Sequence, residues 1–317
     1  MNVEDVLPAN VRLGLENVRE MLDEKFTVSD PGLREVFDKL KSGYGKMLRP
    51  SFLLLFAELK GKISTEHIVL SSVIEMIHTA SLLHDDVVDS TDIRRNQASF
   101  NSAFGRKNAI LMGDFLVSDA FLLAGDMLTS DISELFFRTI SEMSKSELLQ
   151  NFNRNNFNID IETYLKIVKG KTAELFKASC ILGSHKWANQ AQISAIKVFA
   201  ENFGIAYQLL NDYDDLFSRE TDTGSLYCDL RNGCFTMPVI HCLSTDCREG
   251  FIDCINQERY EDAVSVLRKS RSNEFALQAI ESYRLKAVEA LCEFEFSDVR
   301  KSIELMTNTV LSTSDYV

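Results

Sequence analysis

HIVLSSVIEMIHTASLLHDDVVD, residues 67–89, decides the fold class. Its apolar residues recur with the 3.6-residue period of a helix rather than the strict alternation of a strand. The run then closes on Asp85, Asp86 and Asp89. Asp85 and Asp89 stand four residues apart, so they stack on one helix face. Like charges in that relation cost a helix a few tenths of a kcal/mol, and the macrodipole disfavours anions at a C-terminus. Something should offset that cost. A divalent cation would, since Mg²⁺ is commonly held by one or two carboxylates together with waters and phosphate oxygens.

Outward from this stretch the same periodicity repeats. Segments at about 7–25, 106–127, 131–152, 160–180, 188–217, 234–244, 257–269, 272–292 and 297–312 all carry it. Asp30-Pro31 starts a further helix, with Asp as N-cap and Pro at the first helical position, and Pro50 opens another. The chain has four prolines, at 8, 31, 50 and 238. Proline interrupts helices, so its absence from 51–237 points to long ones. No repeat and no low-complexity linker is visible. The expectation is an all-α chain forming one domain over 1–317, a single large helical bundle.

Composition narrows the function. Apolar residues make up 45% and charged residues 26% of the 317, with a net charge of −13. Nucleic acid and anionic lipid need a positive surface, so neither is an expected partner. Any anion must be held by a local basic pocket or through a metal. The seven cysteines are odd in number and lack CxxC spacing, which suggests free thiols in the cytoplasm rather than disulfides or zinc. His241, Cys242, Cys247 and Cys254 fit no common zinc spacing. The richest apolar stretch, 110–128, is broken by Asp114, Asp119 and Asp126, so no transmembrane segment is expected.

A second acidic cluster repeats the first. QLLNDYDD, residues 208–215, places Asn211, Asp212 and Asp215 in the same i, i+1, i+4 pattern at the end of another long apolar helix. Two such helix ends, facing each other across a bundle, would hold several Mg²⁺ ions around one diphosphate. Compact basic groups stand out against the acidic background: Lys46 and Arg49 in GKMLRP (45–50), Arg94-Arg95, and Lys171-Thr172. His78 lies two turns before Asp85 on roughly the same face.

Taken in order, these segments resemble the trans-isoprenyl diphosphate synthases, the polyprenyl synthetase family. The matching stretches are GKMLRP (45–50), EMIHTASLLHDDVVD (75–89), RR (94–95), FGRKNAILMGDFL (104–116), SELLQ (146–150), YLKIVKGKTAELF (164–176), FGIAYQLLNDYDDL (203–216) and DLRNGCFTMPVI (229–240). The resemblance implies the isoprenoid synthase bundle with a central cavity. It implies condensation of isopentenyl diphosphate with an allylic diphosphate, aided by two or three Mg²⁺ ions. By resemblance, Asp85, Asp86 and Asp89 bind Mg²⁺ and the allylic diphosphate, with Asn211, Asp212 and Asp215 opposite. Lys46, Arg49, His78 and Arg95 take isopentenyl diphosphate. Arg94 and Lys171 grip the allylic diphosphate, while Thr172 and Gln208 line the path of the developing cation. A homodimer is implied, with a hetero-oligomer as the variant assembly.

The chemistry explains the residue types. Ionisation of the allylic C–O bond leaves a carbocation and pyrophosphate, so fixed positive charge supplies the catalysis and an apolar tunnel keeps water away. No protein nucleophile is required. Chain growth should stop where the tunnel below Asp85 ends. Ala80 and Ser81 are small there, and Ile77 and Ile74 follow, with Phe136 or Phe137 as a deeper floor. The implied product is geranylgeranyl diphosphate or a longer polyprenyl diphosphate.

Several positions depart from the family pattern. Asn211 stands where an Asp is usual, Ser225 and Cys234 where two lysines are usual, and Met47 where an Arg is usual. Asn96 and Ser146 replace glycines. The losses gather on the side of the second cluster, where the expectation is either that the allylic diphosphate is held more weakly or that Arg219 or Arg231 substitutes. Two other readings use the same residues. One is a non-catalytic or weakly active subunit of a hetero-oligomeric synthase. The other is a class I terpene cyclase, which would not need Lys46, Arg49, His78 and Arg95 for a second diphosphate.

Overall fold

A computed structural model describes residues 3–41, 43–94, 97–218 and 226–313. After a short 3₁₀ turn at Val3–Val6 come α1 (Ala9–Lys25), α2 (Pro31–Lys41), α3 (Leu48–Lys60) and α4 (Thr65–Val88). A two-stranded hairpin, β1 (Ile93–Arg94) with β2 (Gln97–Ala98), leads to α5 (Phe100–Phe104), α6 (Arg106–Ala124) and α7 (Ser130–Phe152). Then follow α8 (Ile161–Val168), a π-helical turn (Lys169–Ala173), α9 (Glu174–Ser184) and α10 (Gln190–Phe217). The chain ends with α11 (Cys228–Arg231), α12 (Met237–Leu243), α13 (Arg248–Asn256), α14 (Tyr260–Lys269), α15 (Ser272–Ala290) and α16 (Asp298–Val310).

The all-α expectation holds, and the long segments fall where periodicity places them. The hairpin, α5, α11, α13 and the π turn were not expected. They are too short or too local to leave a periodic trace. Asp30 starts α2 as its N-cap, its Oδ1 accepting the Gly32 amide at 2.7 Å.

The chain forms two compact units. The first comprises residues 1–137, 175–197 and 293–309. Here α4 packs chiefly on α6, and also on α1 and α3. Residues 67–77 of α4 are buried without a break, as expected of a helix apolar all round. Gly113 lets α6 approach α4, because a Cβ there would collide with the His84 ring. The Phe52–Leu55 run and Phe56 are sealed from solvent. Trp187 donates its indole N–H to the Phe56 carbonyl at 3.1 Å.

The second unit comprises residues 138–174, 198–292 and 310–317. Its core joins Tyr164 and Ile167 of α8, Leu209 and Tyr213 of α10, Val239 and Cys242 of α12, Phe251 of α13, Leu267 of α14 and Ile280 of α15. Two close approaches depend on glycine. A Cβ on Gly204 would lie 2.5 Å from the Cα of Ala173, and one on Gly170 would overlap the Ser146 side chain. Among the described residues all seven cysteines are free. His241 hydrogen-bonds the Ser272 hydroxyl at 2.9 Å and stacks on Phe275, so it belongs to packing. No helix of the described residues is long and apolar enough to cross a membrane.

Candidate active site

In the first unit, the expected anion-binding residues come partly together. Lys46 is exposed just before α3. Arg49 is only 9% exposed in the first turn of α3. Its Nη1 donates to His78 Nε2 at 3.0 Å, and its guanidinium lies 4.4 Å from the centroid of the Phe176 ring. Arginine only donates, so His78 accepts at Nε2 and carries its proton on Nδ1. Stacking and the rigid fork both suit arginine rather than lysine. Arg94 lies on β1. Arg95 and Asn96 lie outside the described residues. Met47, at the position of the usual arginine, is buried and takes a left-handed backbone at φ 50°.

Asp89 caps the C-terminus of α4, its amide donating to the Asp85 carbonyl at 2.8 Å. Asp85 and Asp89 are half-buried, and Asp86 is 1% exposed. His84 turns towards α6, where its Nε2 meets the Ile110 carbonyl at 3.2 Å. It is a packed histidine. Ile74, Ile77 and Ala80 are buried, and the Ser81 hydroxyl donates to the His78 carbonyl at 2.8 Å. Of the two phenylalanines considered as a floor, Phe136 is buried beside Phe121. Phe137 is 58% exposed, which rules it out as a floor. Helical spacing puts neighbours on different faces, and here only the first faces inward.

The second unit gathers Lys171, Thr172, Gln208 and Asp212. The π turn presents Lys171 to Glu147 of α7, Nζ to Oε2 at 2.7 Å. Such turns frequently occur at functional sites. The Thr172 hydroxyl donates to Gln208 Oε1 at 2.7 Å, and Gln208 Nε2 donates to Asp212 Oδ1 at 2.7 Å. The Tyr164 hydroxyl donates to Asp212 Oδ2. Burial pushes the Asp212 carboxyl up to about 6, against the pull of Tyr164, Gln208 and the Lys171 charge. Asp215 accepts the backbone amides of Cys228 (3.0 Å) and Asp229 (3.3 Å). Burial raises it also to about 6, with the Arg231 charge opposing. Asn211 is exposed.

Arg231 is exposed and stacks over Tyr260 at 5.8 Å. Cys234 is half-buried beside the turn at Gly233, φ 68°. Arg219 and Ser225 lie outside the described residues. Sequence reasoning missed the roles of Tyr164, Glu147 and Phe176. All three sit inside or beside matched stretches, but only three-dimensional contact reveals which charged group each one touches.

The donors at both acidic helix ends are oxygens, which suit a hard cation such as Mg²⁺. Among the described residues no three His, Cys, Asp or Glu side chains form a ready-made metal cluster.

Comparison with known proteins places these observations. The family model described as Polyprenyl synthetase matches residues 30–269. The octaprenyl diphosphate synthase of Escherichia coli K12 is 33% identical over 204 residues, covering 64% of this chain and 63% of that enzyme. A prenyl transferase of Cyanidium caldarium is 28% identical, with 96% of each chain covered. The structure of a polyprenyl synthase from Caulobacter crescentus, complexed with calcium and isoprenyl diphosphate, superposes with a TM-score of 0.90 at 27% identity, covering 97% of each chain. The chain therefore belongs to the polyprenyl synthetase family, whose matched members are prenyl transferases and polyprenyl diphosphate synthases.

Proposed function

We propose that this chain is a trans-polyprenyl diphosphate synthase that condenses isopentenyl diphosphate with an allylic diphosphate. Asp85 and Asp89 of the first unit, and Asp212 and Asp215 of the second with Asn211 as an amide, are the residues that would hold two or three Mg²⁺ ions. When bound, Mg²⁺ supplies the positive charge that stabilises the departing pyrophosphate. Asp86 supports the first set from its buried position. Arg94 and Lys171 grip the allylic diphosphate. Lys46, Arg49, His78 and Arg95 hold isopentenyl diphosphate.

The residues divide the work by chemistry. Ionisation of the allylic C–O bond leaves a cation, and the Thr172 hydroxyl and Gln208 amide present oxygen dipoles to it. The isopentenyl double bond attacks, and the proton lost goes to the pyrophosphate. What supports the reading most directly is the chain Thr172–Gln208–Asp212 with Lys171 beside it. It joins in one hydrogen-bonded group a hydroxyl, an amide and a buried carboxylate that the resemblance assigned separately.

Ala80, Ser81 and Ile77 leave room below Asp85, so the product is geranylgeranyl diphosphate or longer, in keeping with the octaprenyl relative. The chain works in the cytoplasm as a homodimer. Support for a second copy comes from α6, where Leu111 (64% exposed), Phe115 and Leu122 (76% exposed) form one outward apolar stripe. An outward apolar stripe of this kind marks an interaction surface. Feeding an allylic diphosphate with and without isopentenyl diphosphate tests the whole. Elongation that requires isopentenyl diphosphate is expected. Turnover of the allylic substrate alone to a hydrocarbon would indicate a cyclase, and inactivity without a second protein would indicate a dependent subunit.

A further inference from the structure

We infer that Tyr164 is a positioning residue for the second metal-binding carboxylate, fixing Asp212 from the side opposite Gln208. The inference rests on the synthase reading above and adds a residue to it. Tyr164 sits on α8, which runs directly into the π turn that carries Lys171 and Thr172. Its ring is 4% exposed within the core of the second unit. Its hydroxyl donates to Asp212 Oδ2, while Gln208 Nε2 donates to Oδ1 at 2.7 Å. Thr172 in turn fixes Gln208 through Oε1 at 2.7 Å. The carboxylate plane is thus held from both ends by groups on two helices.

A carboxylate offers about four lone-pair directions, and these two bonds use one on each oxygen. The others are the directions a cation would take, in an orientation set before it arrives. Hydrogen-bonding partners of this kind orient metal-ligating side chains, and their loss typically weakens metal binding 10- to 100-fold. The arrangement carries particular weight in this chain. Asn211 has replaced a charged ligand by a neutral one, so the cluster depends more heavily on Asp212 and Asp215. Asp215 accepts the backbone amides of Cys228 and Asp229, whereas Asp212 relies on side chains that substitution can remove.

Tyr164→Phe deletes the hydroxyl and keeps the ring in the core. Mn²⁺ binding in the presence of inorganic pyrophosphate, read by electron paramagnetic resonance, reports on the site without turnover. The expected result is a roughly tenfold loss of Mn²⁺ affinity in Tyr164→Phe, about 1.4 kcal/mol, with the KM for isopentenyl diphosphate unchanged. In an Asp212→Asn background the same substitution should cause no further loss, since there is no carboxylate left to orient. Equal Mn²⁺ affinity in wild type and Tyr164→Phe would overturn the inference. So would an undiminished loss in the Asp212→Asn background, which would mark a general packing defect. A wild-type chain that binds no Mn²⁺ with pyrophosphate would overturn the synthase reading itself, and this assignment with it.

Discussion

Arg49 and His78 meet on adjacent helices, with Nη1 of the arginine 3.0 Å from Nε2 of the histidine. The contact fixes the histidine tautomer and leaves the guanidinium over the Phe176 ring, 4.4 Å from its centroid. Lysine can neither stack in this way nor present a fork. Arg49→Lys should therefore raise the KM for isopentenyl diphosphate by about 10- to 100-fold, in line with ~1.5–3 kcal/mol for a charged hydrogen bond. The KM for the allylic substrate should stay within about twofold. Steady-state kinetics with each substrate varied in turn checks the split.

Burial sets the pH response of the second cluster. Asp212 and Asp215 titrate near 6 in the folded chain, above the ordinary 3.8. Between those values the native state keeps protons that the unfolded chain releases. Their contribution to stability is thus fully present below pH ~4 and is lost as the pH rises through 6. Urea denaturation in metal-free buffer should show Asp212→Asn gaining roughly 1–3 kcal/mol on wild type between pH 4 and pH 7. A parallel pH dependence in the two proteins would contradict the buried-carboxylate account.

Gly204 offers a test of packing independent of chemistry. In an ordinary helix, Gly→Ala gains up to about 1 kcal/mol. Here the added Cβ would fall 2.5 Å from the Ala173 backbone. Gly204→Ala should instead destabilise by about 1–3 kcal/mol, the usual cost of overpacking. The same shift should pull on the π turn and lower kcat. Denaturation midpoints and kcat together make the measurement.

Under the proposal above, Ser81 sets how far the product reaches below the first acidic cluster. Its side chain is half-buried and turned back to the His78 carbonyl, one turn above buried Ile77. Ser81→Phe should shift the product to a shorter prenyl diphosphate. Mass analysis of the dephosphorylated alcohols reads the outcome, and an unchanged distribution would remove this residue from the tunnel.

Periodicity carried most of this fold because long helices bury continuous stripes, and α4 and α10 announce themselves in that way. The short elements left no such trace. The π turn at 169–173 is invisible because it inserts one residue into a run that still reads as helical. The acidic clusters were legible since their spacing repeats and violates helix electrostatics. Tyr164 was not, because a tyrosine at helical spacing reads as core until its hydroxyl is found on Asp212. Phe136 and Phe137 were inseparable in sequence, and since both rings meet Phe121, only the burial of Phe136 shows which side of α7 turns inward.

The most direct test is the mass of the product made by the purified chain from isopentenyl diphosphate and an allylic primer, with Mg²⁺ or with a chelator. The account predicts a product extended by whole isoprene units in the presence of Mg²⁺ and none with the chelator. Elongation that persists without divalent metal, or the absence of any elongation with Mg²⁺ and both substrates, would contradict it.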